Sequence, residues 1–206
     1  MSPSDGGARA GGRRPARSAR TRARDEKMMR QALRAAARGD GRTFPNPSVG
    51  AIVFRGDTIL GRGTTRAQKL GGAHAEVQAM RAARRKHGER ALRGAQIAVT
   101  LEPCSFKGRT GACTEALVEA GITRVVAGCR DPHARVSGRG FRQLRRAGVE
   151  VMTGVLEAEC LEKHRGFISV CERGRPFITL KMAATCLLYT SPSPRDQRGS
   201  RMPSSA

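Results

Sequence analysis

Residues 95–127 read AQIAVTLEPCSFKGRTGACTEALVEAGITRVVA. Two short apolar runs, at 95–101 and 123–127, have the length and composition of buried strands. Between them, residues 111–120 carry a helical pattern that Gly121 ends. Strand, helix and strand in close succession predict an α/β sheet with helices layered on it. The alternation continues both ways. Upstream, 49–54 reads as a strand, Arg55-Gly56-Asp57 as a turn, 58–62 as the returning strand and 73–87 as a helix closed by Gly88. Downstream follow a helix at 138–147, a strand at 149–153 and a helix at 157–172.

The chain opens differently. A helix is expected from Asp25, with that residue as its cap, Met28, Met29, Ala32, Leu33 and Ala36 on one face, and Gly39 as its stop. A loop at 40–48 contains Pro45-Asn46-Pro47, whose two rings fix backbone angles and aim the Asn side chain. A further strand is expected from Pro176. From Cys186 onward neither period is present.

The 206 residues carry 39 Lys and Arg against 17 Asp and Glu, a formal charge of +22. Seven of the arginines fall in residues 1–24, an Arg, Gly, Ala and Ser run with almost nothing to place in a core. Six Phe, one Tyr and no Trp leave little on which bases could stack, so a dedicated nucleic-acid surface is not expected. No apolar run is long enough to cross a bilayer, and the first 24 residues hold no leader-like apolar stretch. The expected compartment is cytoplasmic, with the six cysteines reduced and tested first as metal ligands.

Chemistry concentrates in two segments. His74-Ala75-Glu76 opens a helix; Pro103-Cys104 closes a strand and is followed, after eight residues, by Cys113. One imidazole and two thiolates form a borderline-soft set suited to Zn²⁺, and three protein ligands leave the fourth tetrahedral position for water. Glu76, two positions from His74, is free to face that water and carry its proton to a departing amine. The order His-x-Glu, then Pro-Cys, then Cys is that of the zinc deaminases, here with eight residues between the cysteines. Cys129, Cys160, Cys171, Cys186, His87, His133 and His164 have no partner at ligand spacing and read as structural. The loop between the cysteines is pinned at both ends by the metal. Its Lys107, Arg109 and Thr110 suit a phosphate.

Thr43-Phe-Pro-Asn-Pro-Ser-Val-Gly50, His74-Ala-Glu-Val77, Thr100-Leu-Glu-Pro-Cys-Ser105, Gly108-Arg-Thr110, Cys113, Asp131-Pro132, Gly138-Arg-Gly140 and Gly174-Arg-Pro-Phe-Ile-Thr-Leu-Lys181 resemble the deaminase domain of the bifunctional riboflavin-biosynthesis deaminase/reductases, a branch of the cytidine-deaminase-like superfamily. The resemblance implies a three-layer α/β/α fold with a central mixed sheet. It implies one zinc on His74, Cys104 and Cys113, with Glu76 as the proton shuttle. The implied reaction is hydrolysis of the exocyclic amine of a diaminohydroxy-phosphoribosylaminopyrimidine to ammonia and 5-amino-6-(5-phosphoribosylamino)uracil. Asn46 is expected to contact substrate, and Arg109 and Asp131 to lie in segments binding the phosphoribosyl group. The chain departs from the family at Phe106, where a His is usual, at Gly111-Ala112 in place of Pro-Pro, and at His133 in place of Asn.

The expected organisation is a disordered Arg-rich arm over 1–24, the deaminase domain over 25–172, the start of a truncated reductase domain over 173–185, and an unstructured tail over 186–206 that resembles translated adapter sequence. NADP would be a cofactor only with the rest of the reductase. The expected partner is a small phosphorylated pyrimidine, without a membrane; a homo-oligomer stays open. Two other readings stay open at this point: a tRNA adenosine or free nucleoside deaminase, and a non-catalytic basic fragment that binds nucleic acid.

Overall fold

The structure, a computed structural model, describes residues 19–67, 72–106, 111–133 and 136–182. Within them the elements run α1 (Ala19–Ala37), β1 (Gly50–Arg55), β2 (Thr58–Thr64), α2 (Ala75–His87), a 3₁₀ turn (Glu89–Leu92), β3 (Gln96–Leu101), α3 (Cys113–Glu119), β4 (Arg124–Cys129), α4 (Arg139–Arg146), β5 (Glu150–Met152) and α5 (Glu157–Arg173). The five strands form one sheet in the order β2-β1-β3-β4-β5. β1 pairs antiparallel with β2 and β3, whereas β3, β4 and β5 are parallel, so the sheet is mixed. Parallel neighbours need crossovers, and α3 and α4 supply them.

Register assigns the faces. Gly50 pairs with Thr64, and both meet α1: the Thr64 hydroxyl donates to the Ala35 carbonyl at 2.7 Å. Ala51 pairs with Gly63, whose face meets α2. A Cβ on Gly63 would lie 2.0 Å from the Ala75 carbonyl oxygen, and one on Gly61 2.2 Å from that of Ala79. α2 therefore rests on bare β2 backbone through its small residues Ala75, Ala79 and Ala83. α5 shares the α1 face, where Cys160 packs under Gly128 and His164 reaches Thr100. Helices thus cover both faces, the expected α/β/α arrangement. Phe54, Met28, Met29, Ile52, Ile97, Leu117 and Leu144 are among the fully buried side chains of its core.

Asp25 is not a cap. It lies inside α1, buried, and its carboxylate receives both guanidinium nitrogens of Arg124 on β4 at 2.7 and 2.6 Å. α1 begins at Ala19, so residues 19–24 are helical rather than part of a disordered arm; Glu26, accepting from Arg22 and Arg30 one turn either side, supports that first stretch. Residues 1–18 lie outside the described residues. The strand expected from Pro176 is not formed over 176–182: the segment has no sheet partner among the described residues, and Ile178 and Leu180 are exposed. The tail at 186–206 lies outside the described residues.

Candidate metal centre

Three elements deliver three donors. His74 is the residue before the first turn of α2; its backbone is extended (φ −68°, ψ 159°) and its side chain makes no capping bond. Cys104 follows β3 by three residues, and Cys113 is the first residue of α3. The donor atoms of all three lie within 4.8 Å of one another. His74 Nδ1 stands 3.1 Å from Cys113 Sγ and 3.5 Å from Cys104 Sγ. In a tetrahedral zinc site with Zn–N of about 2.0 Å and Zn–S of about 2.3 Å, nitrogen and sulfur stand about 3.5 Å apart. The spacing and the N/S₂ donor chemistry both fit zinc, with these three residues able to hold it.

Polar contacts fix the ligands from behind. The Cys113 amide donates to Cys104 Sγ at 3.3 Å, and the Thr114 amide donates to the Cys104 carbonyl at 3.2 Å. The Thr114 hydroxyl lies 2.8 Å from Gln143 Oε1, tying α3 to α4. Hydrogen bonding from Cys113, assisted by His74, holds the Cys104 thiol down to about 4, near full ionisation, against the opposing effect of burial. The hydrogen bond with Cys104 lifts the His74 imidazole to about 9, while burial works the other way. Cys113 is pushed well up, first by its hydrogen bond with Cys104 and then by burial. A bound divalent cation would favour the ionised form of both thiols.

Glu76 lies in the first turn of α2, only 4% exposed. Burial raises its carboxyl above the ordinary value, with the charge of His74 opposing. It lines, together with His74 and Cys104, a cavity of about 260 Å³. Asn46 and Asp131, both singled out from sequence, line the same cavity. The Pro-Asn-Pro loop is held in place by the Thr43 hydroxyl on the Asn46 carbonyl at 2.8 Å and by the Ser48 hydroxyl on the Ala36 carbonyl at 2.6 Å. Burial also raises the Asp131 carboxyl, while the His133 amide, donating to Oδ1 at 2.8 Å, opposes it. Lys107, Arg109 and Thr110 lie outside the described residues.

The cavity also contains Phe106, noted from the sequence, and three residues that the sequence did not single out: Glu102, Thr65 and Phe167 of α5. Glu102 stood inside a quoted motif, so its position was visible and its role was not. Phe167 carried no local signal. His164 is buried and bonds Thr100 Oγ1 at 3.0 Å, as a structural reading expects.

Comparison with known proteins supplies the remaining context. The riboflavin biosynthesis protein RibD of Escherichia coli K12 is 44% identical over 161 residues, covering 78% of this chain and 42% of that protein. The RibD of Aquifex aeolicus is 45% identical, covering 78% and 43%. The chain therefore spans about two fifths of the length of these relatives. The solved diaminohydroxyphosphoribosylaminopyrimidine deaminase/5-amino-6-(5-phosphoribosylamino)uracil reductase of Thermotoga maritima superposes with a TM-score of 0.75 at 43% identity, covering 81% of this chain and 46% of that one. The Rib2 deaminase of Aspergillus oryzae, solved in complex with DARIPP, gives 0.53 at 25% identity, covering 68% and 89%. The family model for the cytidine and deoxycytidylate deaminase zinc-binding region matches residues 22–129, a span that includes all three donors and Glu76, and the chain belongs to that family.

Proposed function

We propose that this chain is a zinc-dependent hydrolase that deaminates the diaminohydroxy-phosphoribosylaminopyrimidine intermediate of riboflavin biosynthesis, releasing ammonia and giving 5-amino-6-(5-phosphoribosylamino)uracil. One observation carries the reaction type: an imidazole and two thiols converge, and a buried carboxylate shares one cavity wall with the imidazole and the thiol of Cys104. The choice of substrate is supported by the RibD relatives and by the Thermotoga structure.

His74, Cys104 and Cys113 hold the zinc in this reading. When bound, zinc supplies Lewis acidity, which brings ionisation of a water within reach at neutral pH. Glu76 takes the proton from the attacking water and returns it to the nitrogen that leaves, so the C–N bond breaks as ammonia forms. Burial raises the proton affinity of this carboxyl, which suits a group that must hold a proton between two transfers. Asn46 contacts the substrate from the cavity wall; Asp131 and Arg109 belong to the segments that bind the phosphoribosyl group, and Lys107 and Thr110 join Arg109 at its phosphate. The proposal is confined to deamination. Thiol ligands call for a reducing compartment, and on that ground the reaction is placed in the cytoplasm.

The test is ammonia release by the zinc-loaded chain from the ribosylaminopyrimidine phosphate, from free cytidine and from tRNA. Turnover of the pyrimidine phosphate alone is the expected result. Ammonia from tRNA adenosine, with none from the pyrimidine phosphate, would overturn the assignment.

A further inference from the structure

The geometry points to Glu102 as a positioning residue: its carboxylate ties the strand that carries Cys104 to the segment that places Asp131 in the cavity. The inference rests on the deaminase reading above and deepens it.

Glu102 follows the last residue of β3 and is 4% exposed. Both oxygens are used. Oε2 accepts the amides of Asp131 at 3.3 Å and Gly138 at 2.9 Å; Oε1 accepts those of Gly140 at 3.0 Å and Phe141 at 3.4 Å. All four donors are main-chain groups of one stretch, 131–141, which runs from the cavity wall into α4. A buried carboxylate is costly unless its oxygens are satisfied, and charge-assisted bonds to several amides satisfy it. The first turn of α4 adds its positive end.

The close approach depends on missing side chains. A Cβ on Gly140 would lie 2.1 Å from the Pro103 carbonyl oxygen and 3.2 Å from Glu102 Oε1. Gly138, at φ +81°, turns the chain so that its amide faces Oε2. Asp131 in turn lines the cavity, with Oδ1 accepting the His133 amide at 2.8 Å. Glu102 thus sets where the main chain of Asp131 sits relative to Cys104 two residues away. A ligand that bonds to Asp131 is positioned against the metal centre through this link. The role is placement, so loss of Glu102 is felt in substrate binding before it is felt in proton transfer.

The test is a double-mutant cycle on the zinc-loaded chain, with Glu102→Gln, Asp131→Asn and both together. Glu102→Gln turns an amide nitrogen toward two N–H donors. It is expected to raise KM for the pyrimidine phosphate about tenfold while kcat changes less than about threefold, with bound zinc unchanged. The KM effects of the two substitutions should fall well short of multiplying, because they act on one link. Unchanged KM in a folded variant, multiplying KM effects, or parallel loss of zinc, kcat and KM would each overturn the inference. Amide hydrogen exchange on the wild-type chain covers the case in which the variant does not fold. The Gly138 and Gly140 amides should exchange as slowly as those of β3 and β4, and exchange at loop rates sinks the inference. Exchange needs no turnover, so a chain that releases no ammonia defeats the deaminase reading while Glu102 is still judged.

Discussion

The main-chain amide of Cys113 donates to the sulfur of Cys104 at 3.3 Å, so the first residue of a helix stabilises the thiolate at the end of a strand. Each cysteine supports the other as well as offering a ligand. Replacing either one with Ser removes a soft donor and a member of this pair. Cys104→Ser and Cys113→Ser are expected to lower bound zinc from about one per chain to a small fraction of that, with a fall in Tm, measured by metal analysis and thermal unfolding. Chelator treatment of the wild-type chain should reproduce the Tm loss.

In the proposed reaction Glu76 has a separate task, and its replacement separates metal binding from chemistry. Glu76→Gln keeps shape and leaves the three donors in place. Turnover is expected to fall about 10²- to 10⁴-fold while zinc content and Tm stay near wild type. Near-normal ammonia release by that variant would show that another group moves the proton.

Asp25 and Arg124 form a pair whose side chains are 3% and 6% exposed. Asp25→Ala leaves a buried guanidinium short of its main partner, although Gln96 at 3.1 Å and Glu150 at 3.4 Å remain. The expected cost is about 3 kcal/mol, toward the lower end of what breaking a buried pair produces, measured by urea unfolding. Activity per folded molecule should change little, since Arg124 pairs with Gln96 at the start of β3, whereas Cys104 follows the far end of that strand.

His164 predicts a pH dependence. Burial, with Lys163 adding to it and Asp40 opposing, holds its imidazole down to about 4 from an ordinary 6.5. The folded state keeps it neutral while the unfolded chain takes up a proton below about 6.5. Its contribution is therefore complete above that pH and is lost as pH falls toward 4, for a total of about 3 kcal/mol. Denaturant unfolding at pH 7 and pH 4.5 should show a loss in the wild type that His164→Gln lacks. Equal losses in both would assign the acid sensitivity to other groups.

Much of the site was legible because its chemistry is local. His74, Glu76 and Cys104 stand in short motifs beside predicted element ends, where a ligand must be to reach a shared point, and Cys113 stands at the opening of a predicted helix. The strands were legible for a similar reason: 95–101, after Gly94, and 123–127, before Gly128, are apolar runs of strand length, and the observed Gln96–Leu101 and Arg124–Cys129 differ only at their edges. What was missed depends on contacts distant in sequence. Asp25 reads locally as a cap, and its partner lies 99 positions away. The amides that occupy Glu102 come from 29 to 39 positions downstream. The run after Pro176 has strand composition, but a strand exists only where another strand accepts it.

The seat of α2 on the unadorned backbone of Gly61 and Gly63 has a further consequence. One helix carries Glu76 and follows directly on His74, and no methyl group fits between it and β2. The two groups must shift as a unit or not at all. Reshaping the cavity for a different ligand therefore belongs to the loops around the opening, whereas alanine at either glycine would displace His74 and Glu76 in a single movement.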